Sequence, residues 1–437
     1  MHNPYPPPPS WAEDIVSVGV TGTDGKTSTT RFLAAAMARA GGGPTARVTT
    51  VDASILRCDP DGSAPLREHG GPPPENHRAF LRHLGQLRDE PGPRFAAIEA
   101  TSTTLAIGFA TAWPFRVGVF TNLGHDHLRA HGSYEHYLAS KAQLFLSLPP
   151  GGFAVLNADD PTHALVAEVL PEGVQALWFA GPGRAEDRPV DLRLSTLPSS
   201  PGEPPEPRSA WTGQRLRVDC SLPAGSALPS TLTLRALPRF QTENAAAALL
   251  AALALGLPAA PAAAAIAECE PPVGRFELLA LPELDAEARA RLPRVVIDYA
   301  HTPEALELVL RCARELHPGR CFVVFGAGGS ADPSKRAPLG LAASVADRIF
   351  VTTDNPRDED PSDIARQVCA GIPAGHPHVV ELDRGQAIAL AIAEAQPGDL
   401  VIVAGKGHER DQIRGKERTP FSDHDAARAA LLARARG

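Results

Sequence analysis

The sequence predicts an α/β protein made of two successive domains with parallel sheets. Three observations carry that reading. The chain has 437 residues, more than one core ordinarily organises. Short apolar runs rich in β-branched residues alternate with helical patterns, and the alternation occurs twice. It appears in "IVSVGV", "FAAIEA", "RVGVFTNL" and "FAVLNADD", then in "VVIDYA", "CFVVFGAGG", "RIFVTTDN", "HVVELD" and "LVIVAGKG". Between the series lies a stretch of different character, roughly 185–235, where the loop "PSSPGEPPEP" precedes "TLTLRAL", which alternates as a half-exposed strand does.

Taken in order, residues 1–14 form a proline-rich N-terminal stub with neither the apolar core nor the basic start of a signal peptide. The first strand–helix series builds a domain over 15–270, and the 185–235 stretch reads as a small β insertion or a second sheet on it. "AAAALLAALALGLPAAPAAAAIAE" carries Leu and Ile at helical spacing, which indicates packed helix and not low complexity. Two prolines in "CEPPVGRFE" then interrupt the helical pattern and set a boundary, after which the second series builds 271–437.

Composition removes several function classes. The formal charge is −8 and no basic stripe or Arg-rich tail is present, which argues against nucleic acid as a partner. Six cysteines are scattered without a CxxC pair, so a disulfide framework or zinc site is not indicated, and reduced thiols in a cytoplasmic protein are expected. No apolar stretch reaches membrane-spanning length.

Chemistry concentrates first in "IVSVGVTGTDGKTSTT", residues 15–30. The common phosphate-loop pattern is Gly, four residues, then Gly-Lys-Ser/Thr, and Val20 stands where its first glycine falls. Gly22-Thr23-Asp24-Gly25-Lys26-Thr27 still follows a strand and precedes a helix. Glycines let backbone N–H groups turn toward phosphate oxygens, and the helix start adds positive potential. Lys26 has the reach for outer phosphates, and the Thr27 hydroxyl suits Mg²⁺. The bland reading is a glycine turn with a capping Thr, and the strand–loop–helix order favours the phosphate cradle. Two further strand ends are polar: Glu99, and a loop with Asn122, His125, Asp126, His127 and His131. Ligands bind at such carboxyl ends in open α/β sheets. Glu99 suits a hard cation, whereas a lone loop histidine is more often a surface residue. Lys141 lies among apolar residues of "SYEHYLASKAQLFLSL", where an ordinary lysine snorkels.

Nine ordered motifs give the chain a resemblance to the Mur ligases, ATP-dependent amide-forming enzymes of peptidoglycan assembly. They are "TGTDGKT", "FTNLGHDHLRAHGSYEHYLASKAQLF", "NADDP", "TENAAAALLAALALG", "PPVGRFE", "VVIDYAHTPEAL", "VVFGAGGSADPSKR", "TTDNPRDEDP" and "VIVAGKGHE". Within the family the chain is most similar to the type that adds the third amino acid, commonly meso-diaminopimelate, to UDP-N-acetylmuramoyl-L-Ala-D-Glu. The resemblance implies a phosphate-loop ATPase central domain with a parallel sheet and a small β insertion, then a Rossmann-like α/β C-terminal domain. It implies ATP as co-substrate and Mg²⁺ as cofactor, with Gly22, Thr23, Asp24, Gly25, Lys26 and Thr27 around the phosphates. Thr27, Glu99 and His127 become metal ligands, and Lys141 becomes a carbamylated lysine holding a second Mg²⁺. Lys26, Lys141 and His127 become the catalytic set. Asn244 faces adenine, Arg275 reaches the phosphates, and Asp298 and His301 line the nucleotide side of the C-terminal domain. Asn355, Arg357, Gly405 and Glu409 take the incoming amino acid. A monomer acting on small molecules is expected.

Four departures from the family pattern share a direction. The phosphate loop begins near residue 21, where the family has a UDP-gripping domain first. "REHGGPPPEN" stands in place of a Thr-Thr motif, Phe109 in place of an acceptor-binding Arg, and Ser330-Ala331 in place of Asp-Arg. The ATP and metal machinery is thus expected intact with the carboxylate side rewritten, which predicts a different carboxylate substrate. The ordinary cell-wall reaction, a folylpolyglutamate-synthase-like ligase and a non-catalytic ATP-binding module are the alternatives. "DYAHTP", "DNPR" and "GKGHE" favour the Mur side.

Overall fold

The computed structural model describes residues 4–58, 66–124, 133–182, 189–197, 213–235, 237–317 and 319–436. The chain divides into two compact units, the first extending to Glu270 and the second running over Pro271–Gly437.

The first unit is one eleven-stranded sheet. Its strands are β1 (Ile15–Thr21), β2 (Thr45–Val48), β3 (Ala53–Arg57), β4 (Arg67–Gly71), β5 (Arg94–Glu99), β6 (Val117–Phe120), β7 (Phe153–Asn157), β8 (Gln175–Ala180), β9 (Leu192–Thr196), β10 (Gln214–Cys220) and β11 (Thr231–Leu234). They lie in the order β11-β10-β9-β8-β7-β6-β1-β5-β2-β3-β4. The centre is parallel, with β1 between β5 and β6. Antiparallel strands extend both edges, β2/β3/β4 on one side and β9/β10/β11 on the other. The sheet is therefore mixed where sequence predicts a parallel one. The 185–235 stretch does not make a second sheet, because Phe179 pairs with Leu192 and the insertion continues the main sheet.

Both faces of the centre are covered, which is why β1 reads as an uninterrupted apolar run. On one face Val18 and Val20 pack with the helices Lys26–Ala40 and Phe240–Ala254. Ala245, Ala246, Ala247 and Ala248 are fully buried there, and their small side chains allow close approach of helix to helix and sheet. On the other face sits an aromatic group. Phe109 is 7% exposed and meets Phe80 at 5.3 Å, Phe115 at 5.9 Å and Tyr5 at 5.6 Å between ring centroids. Trp11 and Phe80 both pack on Trp113. The proline-rich N-terminal segment is thus tied down by Tyr5 and Trp11. Phe109 is a core residue, packed among aromatic rings and the His77 imidazole, where the family pattern puts an arginine.

The second unit is a six-stranded sheet. It comprises β12 (Glu277–Leu278), β13 (Arg294–Asp298), β14 (Cys321–Phe325), β15 (Arg348–Val351), β16 (His378–Val380) and β17 (Leu400–Ala404), ordered β12-β13-β17-β14-β15-β16. All pairs are parallel except β12/β13. A separate hairpin pairs β18 (Asp411–Arg414) with β19 (Glu417–Pro420). The strand cores, Val295, Ile297, Val324, Phe350, Val401 and Val403, face a layer of Ala387, Ile388, Ala391 and Leu431. No helix among the described residues is long and apolar enough to cross a membrane.

Candidate active site

In the first unit the strand ends converge on the β1–helix turn. Gly22 adopts φ 150° and Gly25 φ 81°, which an L side chain rarely tolerates. A Cβ on Gly22 would overlap Thr121 Oγ1, and one on Gly25 would overlap Asn244 Oδ1. The turn is therefore fixed by its neighbours as well as by its own backbone. Thr23 N donates to Asn122 O at 2.9 Å, Asp24 N to Asn122 Oδ1 at 2.8 Å, and Thr121 Oγ1 to Asp24 O at 2.6 Å. Lys26 opens the helix and its Nζ donates to Thr23 O at 2.7 Å. Gly25→Ala is expected to weaken ADP binding at least about tenfold, since left-handed backbone costs an L residue roughly 1–2 kcal/mol before the overlap with Asn244 is counted. Calorimetric titration of ADP measures it.

Glu99, at the end of β5, lies beside this turn and is 9% exposed. It accepts Thr27 Oγ1 at 2.9 Å, Thr50 N at 3.2 Å and Thr50 Oγ1 at 3.2 Å. The set is one carboxylate and two hydroxyls, the hard-oxygen chemistry that Mg²⁺ takes alongside phosphate and water. No group of three His, Cys, Asp or Glu forms a metal cluster among the described residues. His127, with His125, Asp126 and His131, lies outside the described residues. Lys141 is 1% exposed; its Nζ donates to Gly22 O at 2.5 Å and sits 4.1 Å over the Tyr137 ring. The Tyr137 hydroxyl is 3.3 Å from Thr23 Oγ1. An apparently misplaced helix lysine thus lies directly under the glycine turn.

Asn244 Oδ1 lies against the Gly25 end of the turn and accepts Thr29 Oγ1 at 3.3 Å, while its Nδ2 donates to Gln241 Oε1 at 3.0 Å. The preceding Glu243 was not singled out in the sequence. It packs on Gly181, whose N–H donates to Asp159 Oδ2 at 3.1 Å. Burial first, then the nearby Asp159 charge, push its carboxyl from 4.5 up to about 7, with Arg239 opposing. The folded state therefore keeps a proton that the unfolded chain has already lost. Stability from this group is full below about pH 4.5 and falls as pH rises to about 7. Glu243→Gln is expected to flatten that slope and to gain about 1–3 kcal/mol over wild type at pH 8, with little difference at pH 4. Urea midpoints at the two pH values measure it.

A second network flanks the turn. Arg47, 1% exposed, donates to Asp52 at 2.6 Å and to Glu68 at 2.5 Å, and Glu68 also accepts Ser54 Oγ at 2.9 Å. Those contacts hold Glu68's carboxyl below its ordinary value against the burial that would raise it.

In the second unit, the carboxyl ends of β13, β14, β15 and β17 gather the predicted residues into two groups. Asp298 accepts Phe276 N at 2.6 Å and Ala300 N at 2.7 Å. It thereby shapes the turn carrying Arg275, whose guanidinium lies 4.3 Å over the Tyr299 ring. His301 and His408 both contact Tyr299. The other group centres on Glu409. Lys406, fully buried, donates to Glu409 Oε2 at 2.8 Å and to Asn355 Oδ1 at 3.0 Å, and Asn355 Nδ2 donates to Glu409 Oε2 at 2.8 Å. Burial would raise Glu409's carboxyl, but Lys406 and Asn355 bring it net below the usual value, so it stays anionic. Gly405, φ 111°, leaves no room for a Cβ beside Asp354 Oδ2. Arg357 Nη1 donates to Gly329 O at 2.8 Å. Ala331 and Ser330 sit in the same loop, and Ser330 N donates to Glu359 Oε1, which also pairs with Arg336. Lys406, Tyr299, Thr50 and Arg47 escaped the sequence reading, although Lys406 and Tyr299 lie inside quoted motifs.

A glycine turn feeding a helix, with a buried carboxylate and lysine beside it, and a second α/β unit with charged strand ends define a nucleotide-dependent α/β enzyme. The comparisons make that specific. Residues 20–252 match the Mur ligase middle domain and 274–407 match the Mur ligase glutamate ligase domain. The UDP-N-acetylmuramoyl-L-alanyl-D-glutamate–2,6-diaminopimelate ligase of Thermosynechococcus vestitus is 37% identical over 97% of this chain and 78% of its own length. The ligase of the same name from Geobacillus kaustophilus is 36% identical over 95% and 79%. A solved structure of a ligase of that name matches with a TM-score of 0.59 and 29% identity over 96% of this chain and 79% of its own. The MurF ligase of Thermotoga maritima, 18% identical, shares the fold with a TM-score of 0.64. The chain belongs to the Mur ligase family and is an ATP-dependent ligase that forms amide bonds.

Proposed function

We propose that this ligase activates a carboxylate as an acyl phosphate and joins it to the amine of an amino acid. A carboxylate oxygen attacks the γ-phosphorus of ATP, the bond to the β–γ bridging oxygen breaks, and ADP leaves. The amine nitrogen then attacks the acyl carbon, the carbon–oxygen bond to phosphate breaks, and the nitrogen gives a proton to solvent. The observation that carries this reading is the convergence of Lys26, Thr27, Glu99 and Lys141 on one glycine turn. Lys26 and the turn N–H groups stabilise the phosphates, Thr27 and Glu99 would hold Mg²⁺, and Asn244 keeps the turn in register for the nucleotide. Mg²⁺ when bound neutralises charge on the transferring phosphoryl group. A carbamylated Lys141 and His127 would complete the metal ligands. Arg275, Asp298 and His301 serve the nucleotide, and Asn355, Arg357, Gly405 and Glu409 the amino acid. We read the enzyme as a cytoplasmic monomer.

The carboxylate substrate is the open choice between two readings. Phe109 in place of an acceptor-binding Arg and Glu68 committed to Arg47 support a carboxylate other than the usual nucleotide-linked peptide, whereas Ala331 stands where the family pattern has the Arg that contacts the amino acid's carboxylate and so bears on the amine substrate. The identity of about 37% across nearly the whole chain supports the acceptor named in its relatives, and with it a role in peptidoglycan synthesis. Phosphate release from Mg-ATP separates them, using UDP-N-acetylmuramoyl-L-Ala-D-Glu with diaminopimelate, lysine or ornithine. Release with a matching tripeptide product establishes the cell-wall reaction. Release only with other carboxylates establishes the altered acceptor, and release with none removes the ligase reading.

A further inference from the structure

We propose that His424 is a positioning residue for the nucleotide: as an imidazolium it holds Glu277, and Glu277 holds the turn that carries Arg275. Nucleotide affinity is thereby tied to the protonation of one imidazole. This rests on the reading that Arg275 serves the nucleotide.

The turn is held from both sides. Gly274 has φ 68° and Phe276 φ 52°, a left-handed conformation that costs a non-glycine residue energy. Arg275 lies between them, and its N–H donates to Pro272 O at 3.1 Å. A Cβ on Gly274 would come within 2.4 Å of Gly407 C and His408 N, so this backbone has no slack toward the Gly407–His408 peptide. On one side Asp298 accepts Phe276 N. On the other, Glu277 Oε2 accepts Gly274 N at 2.7 Å. The same Oε2 meets His424 Nε2 at 2.8 Å, from the first turn of the helix Asp423–Arg436, 147 positions away. Asp298 ends a buried strand, whereas Glu277 opens the two-residue edge strand β12 and its side chain is 29% exposed. His424 is what keeps that carboxylate on the turn and not in water.

The charges around His424 are otherwise committed. Asp423 pairs with Arg384, Arg428 with Glu283, and Asp425 with Arg410, which also attracts Glu277. Burial would raise Glu277's carboxyl, but His424 and the Gly274 N–H bring it net below its ordinary value, so it is anionic where imidazoles titrate. The positive end of the helix disfavours an imidazolium in its first turn, and Asp423 and Asp425 offset that. A hydrogen bond from an ionised donor is roughly twice as strong as a neutral one, so the link weakens when His424 loses its proton. His301 and His408 are the other imidazoles facing this turn, through the Tyr299 ring under Arg275.

The test is calorimetric titration of ADP into the full chain from about pH 5.5 to about pH 8.5, across the imidazole range, on wild type, His424→Arg, His424→Gln and Arg275→Ala. Affinities are compared as ratios to wild type at each pH, which cancels the titration of ADP itself and of Glu243, His301 and His408. His424→Arg, a permanent cation, is expected to match wild type at the acid end and to bind about threefold to tenfold tighter at the alkaline end. His424→Gln, a neutral donor, is expected to do the reverse, weaker by the same factor in acid and equal to wild type in alkali. A His424→Gln loss of one size at every pH would be a structural effect and overturns the proposal, as does a His424→Arg ratio that does not move with pH. Arg275→Ala binding ADP as wild type does would remove Arg275 from the nucleotide, and the proposal with it. Arg275→Ala weakened, with both His424 variants tracking wild type throughout, would keep Arg275 on the nucleotide and overturn the proposal alone.

Discussion

Lys141→Ala is expected to lower kcat by about a thousandfold, the scale of removing a preorganised electrostatic group from the reacting phosphate. The prediction rests on the position of the residue. It is almost completely buried, and its Nζ reaches the Gly22 carbonyl and the face of the Tyr137 ring. As an ammonium it would brace the turn by a charge-assisted hydrogen bond and a cation–π contact. As a carbamate it would supply oxygens for a cation. The modification balances simply: the neutral amine adds to CO₂, one N–H proton passes to solvent, and an anionic N-carboxylate remains. The two roles separate in one experiment. Formate or acetate added to Lys141→Ala restores part of the activity if a carboxylate is what the site needs, and Lys141→Arg stays inactive. Mass spectrometry under mild conditions then finds one added CO₂ on the wild-type peptide. Activity within tenfold of wild type in Lys141→Ala would remove the residue from the mechanism. A large loss without carboxylate rescue would assign it the bracing role.

Lys141 also shows what a sequence carries and what it withholds. Strand-to-turn-to-helix order made Gly22, Gly25, Lys26 and Thr27 legible, because phosphate cradles are local in sequence. Lys141 lies 119 positions from its Gly22 partner, and residue types alone made it an ordinary snorkelling lysine. The role proposed for it comes only from resemblance. The Arg47–Asp52–Glu68 network was illegible because strand register creates it: Ser54 faces Arg47 across β2/β3 and Gly70 across β3/β4. Phe109, which stands where the family pattern has an acceptor-binding Arg, gains something sequence does not show: its neighbours Tyr5, His77, Phe80 and Phe115 make it a packing residue as well, so that reversion to Arg would bury a charge. The 185–235 insertion was recognised as β, but its fusion to the main sheet turns on a short pairing of β8 with β9 that alternation of residues does not encode. Asn355 and Glu409 were picked out one by one, and the buried Lys406 that joins them was not.

The largest stability effect is expected at Arg384 and Asp423. They are 39 positions apart, at the starts of the helices Arg384–Glu394 and Asp423–Arg436, and both are essentially unexposed. The contact is bidentate: Nε meets Oδ1 and Nη2 meets Oδ2, each at 2.7 Å. Nη2 also donates to Ala404 O at 2.8 Å, so the pair anchors the strand end that leads into Gly405 and Lys406. Arg384 further opposes the burial that raises the carboxyl of Asp354, a neighbour of the amino-acid group. Removing one partner strands a charge in a dry interior, which costs about 3–5 kcal/mol. For a unit of this size each kcal/mol moves Tm by about 2–4 °C, so Arg384→Ala should lower it by roughly 6–20 °C. Replacing both partners, Arg384→Met with Asp423→Leu, should recover most of that loss, since apolar packing avoids the desolvation of two ions. The double variant should still bind the amine substrate poorly, because Ala404 O has lost its donor and Asp354 one of the two cations, Arg384 and Lys406, that oppose its burial. Calorimetry on wild type, both single variants and the double variant reads the cycle. A single variant as stable as wild type would show that water reaches the site and that the pair is not the anchor of this loop. A double variant with full stability and full amine affinity would confine the pair to packing, and the position of Gly405 and Lys406 would then be set by their other partners, Asp298 O for Gly405 N and Asn355 and Glu409 for Lys406.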